Sequence, residues 1–290
     1  MDLFALCSEL IHADSEDRVI SILKRHNLWE DGSNWKSLGD LENNFSIIGN
    51  QQSKPEAALV EKIVNSIDAM LMRDCLRQKI DPESEKAPQD MQSAAEEFFG
   101  IENAKLVNLS TIRRKELAEN ITLISSGFRD KPCFTLVDKG EGQLPSDFPD
   151  TFLSLARSNK IKIPFVQGKF NSGGTGSLQF CGRNGLQLIV SKRDPEILDR
   201  DSKEVPWGFT MVRRFPPKSG YKNSEYKYLA IDNEIPSFVA EKLKVLPGSY
   251  PSVYEKPISS GTIIKMYDYN IRYTRRRERR WQSSRRRPGL

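Results

Sequence analysis

Three polar residues on one predicted helix, Glu61, Asn65 and Asp68, stand at i, i+4 and i+7, which at 100° per residue places them within about 60° of one another. Two carboxylates and a carboxamide stacked in this way form either a functional set or a plain solvated strip. The strip is narrow and bordered by Val60 and Val64, whereas a solvent face usually fills with Lys and Glu. A second signal is a predicted strand that ends at Asp138 and runs into Gly140 and Gly142. A third is the cluster from Gly168 through Lys169 to Gly173, Gly174, Thr175 and Gly176, whose last four backbone N–H groups can converge on negative charge ahead of the next helix. Gly261 and Thr262 open a late strand. Glycines in such loops are individually ordinary turn residues, so these signals carry meaning as an ordered set.

The elements that must position them follow from periodicity and punctuation. Residues 2–27 read as two helices, the second capped by Asp14 or Ser15. A Gly, Asn and Ser-rich loop is expected from Glu30 to Gln52, anchored by Trp35, Leu38, Leu41, Phe45 and Ile47. In SKPEAALVEKIVNSIDAMLMR, Ser53 is the predicted N-cap and Pro55 suits the first turn, with Val60, Ile63, Val64, Ile67, Met70 and Leu71 as the apolar stripe. Beyond Asp74 the composition turns polar, with short helices at MQSAAEEFFG and STIRRKELAEN. A hairpin follows, NITLISS to CFTLVDKGEG, and then a short helix at DFPDTFLSLARSN. GLQLIVSKR, WGFTMVRRF, YKYLAIDN and SGTIIKMYDY alternate in the manner of strands, with a helix expected at PSFVAEKLKVL. Helices early, strands late and hairpin connections predict an α+β fold, a two-layer α/β sandwich whose mixed, mostly antiparallel sheet is covered by helices.

In their order, the helix with VEKIVNSIDA, the strand end at Asp138, the glycine cluster and Gly261-Thr262 resemble the GHKL ATPases, the superfamily of DNA gyrase B, the ninety-kilodalton heat-shock chaperones, histidine kinases and MutL. The helix is most similar to the N-box of the gyrase and MutL branches. The resemblance spans roughly residues 50 to 270 and implies a Bergerat-type domain that binds ATP with Mg²⁺ and couples its nucleotide state to conformational change or dimerisation. By the same resemblance, Asn65 supplies an oxygen to Mg²⁺, Glu61 deprotonates the attacking water, and Asp68 belongs to the nucleotide site. Asp138 accepts from the adenine amine and Thr262 shares a water with it, while Gly140 and Gly142 leave the backbone beside the base free of Cβ atoms. Gly168, Lys169, Gly173, Gly174, Thr175 and Gly176 form the phosphate lid.

The sequence departs from the family pattern in places. Asn65 and Asp138 are 73 residues apart, so residues 74–118 read as an insertion, and Asn171 and Ser172 interrupt the glycine cluster. In the gyrase and MutL branches that the sequence resembles, the γ-phosphate lysine comes from a second domain after the GT strand. Here the expected sources are Lys160, Lys162 or Lys169, or a partner protein, and hydrolysis by the chain alone is expected to be slow. A non-hydrolysing ATP switch, in a DNA-associated or phage-defence system, is the alternative expectation.

Charge and composition bound the remaining classes. The chain has 290 residues and a net charge of +5, yet residues 272–290 carry nine Arg and one Glu, a local +8 that leaves the rest at −3. DNA contact is therefore an expectation for this tail, read otherwise as a disordered, solvated end. The domain reading is an N-terminal helical extension (1–50), the ATP-binding domain (51–271) and the tail (272–290). Neither a membrane span nor a signal peptide is expected, so the predicted location is cytoplasmic. Four widely spaced cysteines and two histidines, His12 and His26, suggest buried thiols and ordinary histidines rather than a metal knot.

Overall fold

The computed structural model describes residues 1–155, 161–168, 174–198, 204–217, 223–246 and 257–271. Six helices are described, α1 (Leu3–His12), α2 (Glu16–Arg25), α3 (Asn44–Gln51), α4 (Pro55–Arg77), α5 (Met91–Phe99) and α6 (Thr111–Ala118). The strands are β1 (Trp35–Ser37), β2 (Ile121–Phe128), β3 (Lys131–Asp138), β4 (Gln187–Lys192), β5 (Trp207–Phe215), β6 (Glu225–Leu229), β7 (Ser237–Phe238) and β8 (Gly261–Met266). They form one sheet in the order β1-β6-β5-β4-β8-β3-β2, with β7 added to β5. Every pairing among the described residues is antiparallel. The α+β class and the helix-covered sheet are as expected.

Alternation along the strands gives the sheet two different faces. Cys133, Val137, Leu188, Val190, Phe209, Met211, Ile263 and Tyr267 share one buried cluster with Leu6, Leu10, Ile11, Val19, Ile22 and Leu23 of α1 and α2. The first two helices thus cover one face of the sheet and are continuous with its core. Two polar side chains of β8 and its end finish the C-terminus of α1: Lys265 Nζ donates to the Ile11 carbonyl at 2.7 Å and Tyr267 Oη to that of Leu10 at 2.7 Å. These bonds satisfy carbonyls that a helix end leaves without internal partners. Ser15 caps α2 by accepting from Arg18 N, as its sequence position predicts. Helices therefore lie on both faces of the sheet, because α4 packs on the opposite one through Ala58, Leu59, Phe134, Ile264 and Met266.

Several expected elements differ. The Glu30–Gln52 loop contains the edge strand β1 and the helix α3; buried Asn44 fixes α3 by donating to the Leu38 and Tyr226 carbonyls and accepting from Tyr226 N. The helix expected at residues 236–246 is extended. Trp207 Nε1 and Lys192 Nζ donate to the Ala240 carbonyl, Phe238 packs against Phe4 and Phe209, and β7 pairs with β5. Tertiary hydrogen bonds here override local helix preference. The short helix expected at DFPDTFLSLARSN, residues 147–159, is not an α-helix over its described part, which holds the end of a 3₁₀ turn, Pro145–Asp150.

Residues 74–118 carry α5 and α6. Helix α5 has a capping box between Asp90 and Ser93 and a left-handed Gly100 at its end. It joins Leu71, Met72, Cys75, Phe165 and Val166 in a separate small cluster, so this segment braces the C-terminal half of α4. All four cysteines are buried and reduced.

Candidate functional site

Helix α4 is the axis of the site. Pro55 occupies its first turn as expected, but the N-cap is Lys54, with no side-chain cap bond, rather than Ser53. Its rotation also differs from the apolar reading. Val60 and Ile67 are 57% and 38% exposed, whereas Ala58, Lys62, Ser66 and Asp68 are buried. The surface beneath α4 is lined by polar groups, and buried donors and acceptors must be satisfied before apolar periodicity can be. Small residues let the helix approach closely: Glu141 N donates to the Ala69 carbonyl at 3.0 Å, and a Cβ on Gly140 would lie 2.5 Å from that of Ala69.

A pocket opens between α4 and the sheet. Ser66, Asp138 and Thr262 line one part of it, Asn65 and Gly168 the next, and Lys62 and Gly174 another, over a floor that includes Gln187, Ile189 and Ile264. Asp138 ends β3 directly opposite Thr262 of β8. Its Oδ2 accepts from Ser66 Oγ and its Oδ1 from Gly140 N, each at 3.0 Å. Thr262 Oγ1 meets Ser191 Oγ at 3.0 Å, and Ser191 also accepts from Gln143 N and donates to the Gly261 carbonyl. This end holds a buried carboxylate set in a hydroxyl network, suited to recognise a donor on a planar ligand.

Gly142 has φ +59°, and a Cβ there would sit 1.9 Å from the Lys192 carbonyl oxygen. Its missing side chain is demanded first by the neighbouring strand end, although it also lines the pocket.

Asp68 does not line the pocket. Its fully buried carboxylate accepts from Gln167 N at 3.0 Å and from Gly168 N at 2.7 Å. It is a tether that draws the glycine-bearing loop onto α4, and this corrects its expected place among ligand-binding groups. Gly168 is held so close that a Cβ would lie 2.6 Å from Asn65 Oδ1. Asp68→Ala removes the acceptor from two partly buried N–H groups and is expected to destabilise the fold by about 1.5–3 kcal/mol. Denaturant unfolding of the variant measures this directly, and a change near zero would mean that the tether bears no load.

Thr175 and Gly176 are also displaced from their expected role. Thr175 Oγ1 donates to Gln51 Oε1 at 2.6 Å, and Gly176 packs against Gln52, so both brace the junction between α3 and α4. No α-helix follows them; the chain forms a three-residue 3₁₀ turn, Leu178–Phe180, and no helix dipole is available there. Of residues 174–176, Gly174 alone lines the pocket, and its carbonyl accepts from Lys62 Nζ. Lys160, Lys169 and Gly173 lie outside the described residues, as does the tail from residue 272. Lys162 is largely exposed and pairs with Glu83 at 3.7 Å.

Glu61 lies one turn before Asn65 and is half-buried, outside the pocket lining. Burial raises its carboxyl above the ordinary range, and the neighbouring Lys62 partly opposes this. No group of three or more His, Cys, Asp or Glu among the described residues is placed to hold a metal. An Mg²⁺ carried by phosphates needs only one or two protein ligands, and the carboxamide of Asn65 at the pocket wall fits that requirement.

Lys62, Ser66, Ser191 and Gln187 were not singled out by motif. For the first two, a signal exists: Ala58, Lys62, Ser66 and Ala69 form a small and polar stripe at helical spacing beside the apolar one. No helix among the described residues is long and apolar enough to cross a membrane. Compared with known proteins, the chain matches no protein-family model and no curated sequence.

Proposed function

We propose that this chain binds ATP with Mg²⁺ through a GHKL-type site and hydrolyses it, using the nucleotide state to bias a conformation or a dimer or partner contact. The observation that carries this reading is the sequence of contacts along α4. Ala69 meets Gly140, Ser66 meets Asp138, Asn65 meets Gly168 and Lys62 meets Gly174. One helix thus serves a base-recognising carboxylate, a metal-ligating carboxamide and a glycine loop around a single pocket.

In this reading Asp138 accepts from the exocyclic amine of adenine, with Ser66, Ser191 and Thr262 as its hydroxyl surroundings. Asn65 would hold Mg²⁺, which neutralises charge on the phosphates when bound. Glu61 takes the proton of the water that attacks the terminal phosphorus, and the bond to the bridging oxygen breaks to release ADP and phosphate.

A second reading, an ATP-binding switch without turnover, is favoured by the position of Glu61 outside the pocket lining. Calorimetric titration with ATP and a phosphate-release assay, each with and without Mg²⁺, test both. Mg²⁺-dependent binding with phosphate release is expected. Binding without release supports the switch, and absence of binding overturns both readings.

A further inference from the structure

We propose that Lys62 is the cation that engages the phosphate chain of the bound nucleotide, held in position by the Gly174 carbonyl. This deepens the ATP-site reading and rests on it.

Among the described residues Lys62 is the only cationic side chain that lines the pocket, and it is 3% exposed. Its acceptor is a neutral backbone carbonyl, that of Gly174. No carboxylate among the described residues forms an ion pair with it. An ammonium buried without an anion is unfavourable, so a phosphate oxygen at this point would relieve a standing penalty. Three N–H donors allow the nitrogen to keep Gly174 and still present two to a ligand.

The surroundings agree. Burial lowers the Lys62 pKa to about 8, and Glu61, on the same helix, is the charged neighbour that opposes this. Cys181 is its other titratable neighbour, but burial pushes that thiol far up, so it contributes no thiolate. Lys265 provides the contrast. It is as deeply buried and also falls to about 8, but it donates to the Ile11 carbonyl in the apolar layer beneath α1 and does not line this pocket. The two lysines differ in what they face, and the pocket is what distinguishes Lys62.

The test compares the full-length wild type with Lys62→Met and Lys62→Gln, titrated with adenosine, ATP with Mg²⁺, and inorganic tripolyphosphate. Glutamine keeps a donor for the Gly174 carbonyl but has no charge. Both variants are expected to lose roughly tenfold to hundredfold in affinity for ATP and for tripolyphosphate, the range of a charged hydrogen bond, with adenosine binding unchanged. Wild-type affinity for tripolyphosphate should fall as pH rises through about 8, where the free ammonium loses its proton, and this dependence should vanish in both variants.

Three results would overturn the proposal. Unchanged ATP and tripolyphosphate affinity in Lys62→Met is one. Equal losses for adenosine and ATP would place Lys62 in the fold rather than at the phosphates. Recovery in Lys62→Gln would leave only the loop contact. Tripolyphosphate binding that depends on Lys62 in a protein that binds no adenine nucleotide would uphold the cation and refute the ATP reading. Binding of neither ligand by the wild type would refute both.

Discussion

Glu61→Gln is expected to lower the rate of phosphate release by about 10²- to 10⁴-fold, the usual contribution of a positioned general base. Affinity for ATP should be retained or slightly increased, because the substitution removes a negative charge beside Lys62, the residue assigned to the phosphates. Single-turnover kinetics separate the two effects. A parallel loss of binding and turnover would remove Glu61 from the role of base. The pH dependence of kcat/KM gives an independent readout. Glu61 must be ionised to accept a proton, and burial holds its carboxyl above the ordinary carboxylate range, so the rate should rise with pH through that elevated value. Lys62 must be protonated to hold phosphate, and its pKa is lowered to about 8, so the rate should decline on the alkaline side. The expected profile is a bell, and Glu61→Gln should abolish its acid limb.

The second large effect is expected at Asp138. Its carboxylate oxygens accept from Ser66 Oγ and from Gly140 N, and a carboxylate oxygen can accept more than one hydrogen bond. In Asp138→Asn only one oxygen remains. If it keeps the Gly140 N–H, the new amide NH₂ faces the adenine amine, donor against donor. Affinity for adenine nucleotides should fall about hundredfold, while tripolyphosphate binding through Lys62 persists. A 6-oxo purine nucleotide, which presents an acceptor, should lose much less or gain. Normal ATP affinity in this variant would end the assignment of Asp138 to base recognition.

Much of this architecture is legible in the sequence where a local rule and the tertiary structure agree. Pro55 starts α4 and Ser15 caps α2 because each satisfies a requirement of the helix end itself. The β2–β3 hairpin closes over Arg129 and Asp130 and delivers Asp138 to its strand end, because alternation and turn chemistry point the same way. Gly261-Thr262 opens β8 beside it for similar reasons. The rotation of α4 is not legible from apolar spacing, since Ser66, Asp68 and Lys62 find partners only on β3, on the Gln167–Gly168 loop and at Gly174. Those partners lie about 70 to 110 residues away in sequence, and no local rule reports them. The same holds for residues 236–246, whose extended form is fixed by Trp207 and Lys192. Motif reasoning grouped Asp68 and Thr175 with the ligand by position, whereas each is occupied by a neighbouring backbone or side chain.

The contacts along α4 also make the helix a gauge of ligand length. Between Ala69, against Gly140, and Lys62, against Gly174, it advances seven residues, or about 10 Å at 1.5 Å each. A nucleotide seated on Asp138 as proposed would meet successive graduations, and one with fewer phosphates would end before the last. Discrimination between ATP and ADP would then need no moving part, since it is set by the pitch of one rigid helix. A single residue inserted between Lys62 and Ser66 would turn the two ends of that scale about 100° apart, so that only one end could keep its partners on the pocket.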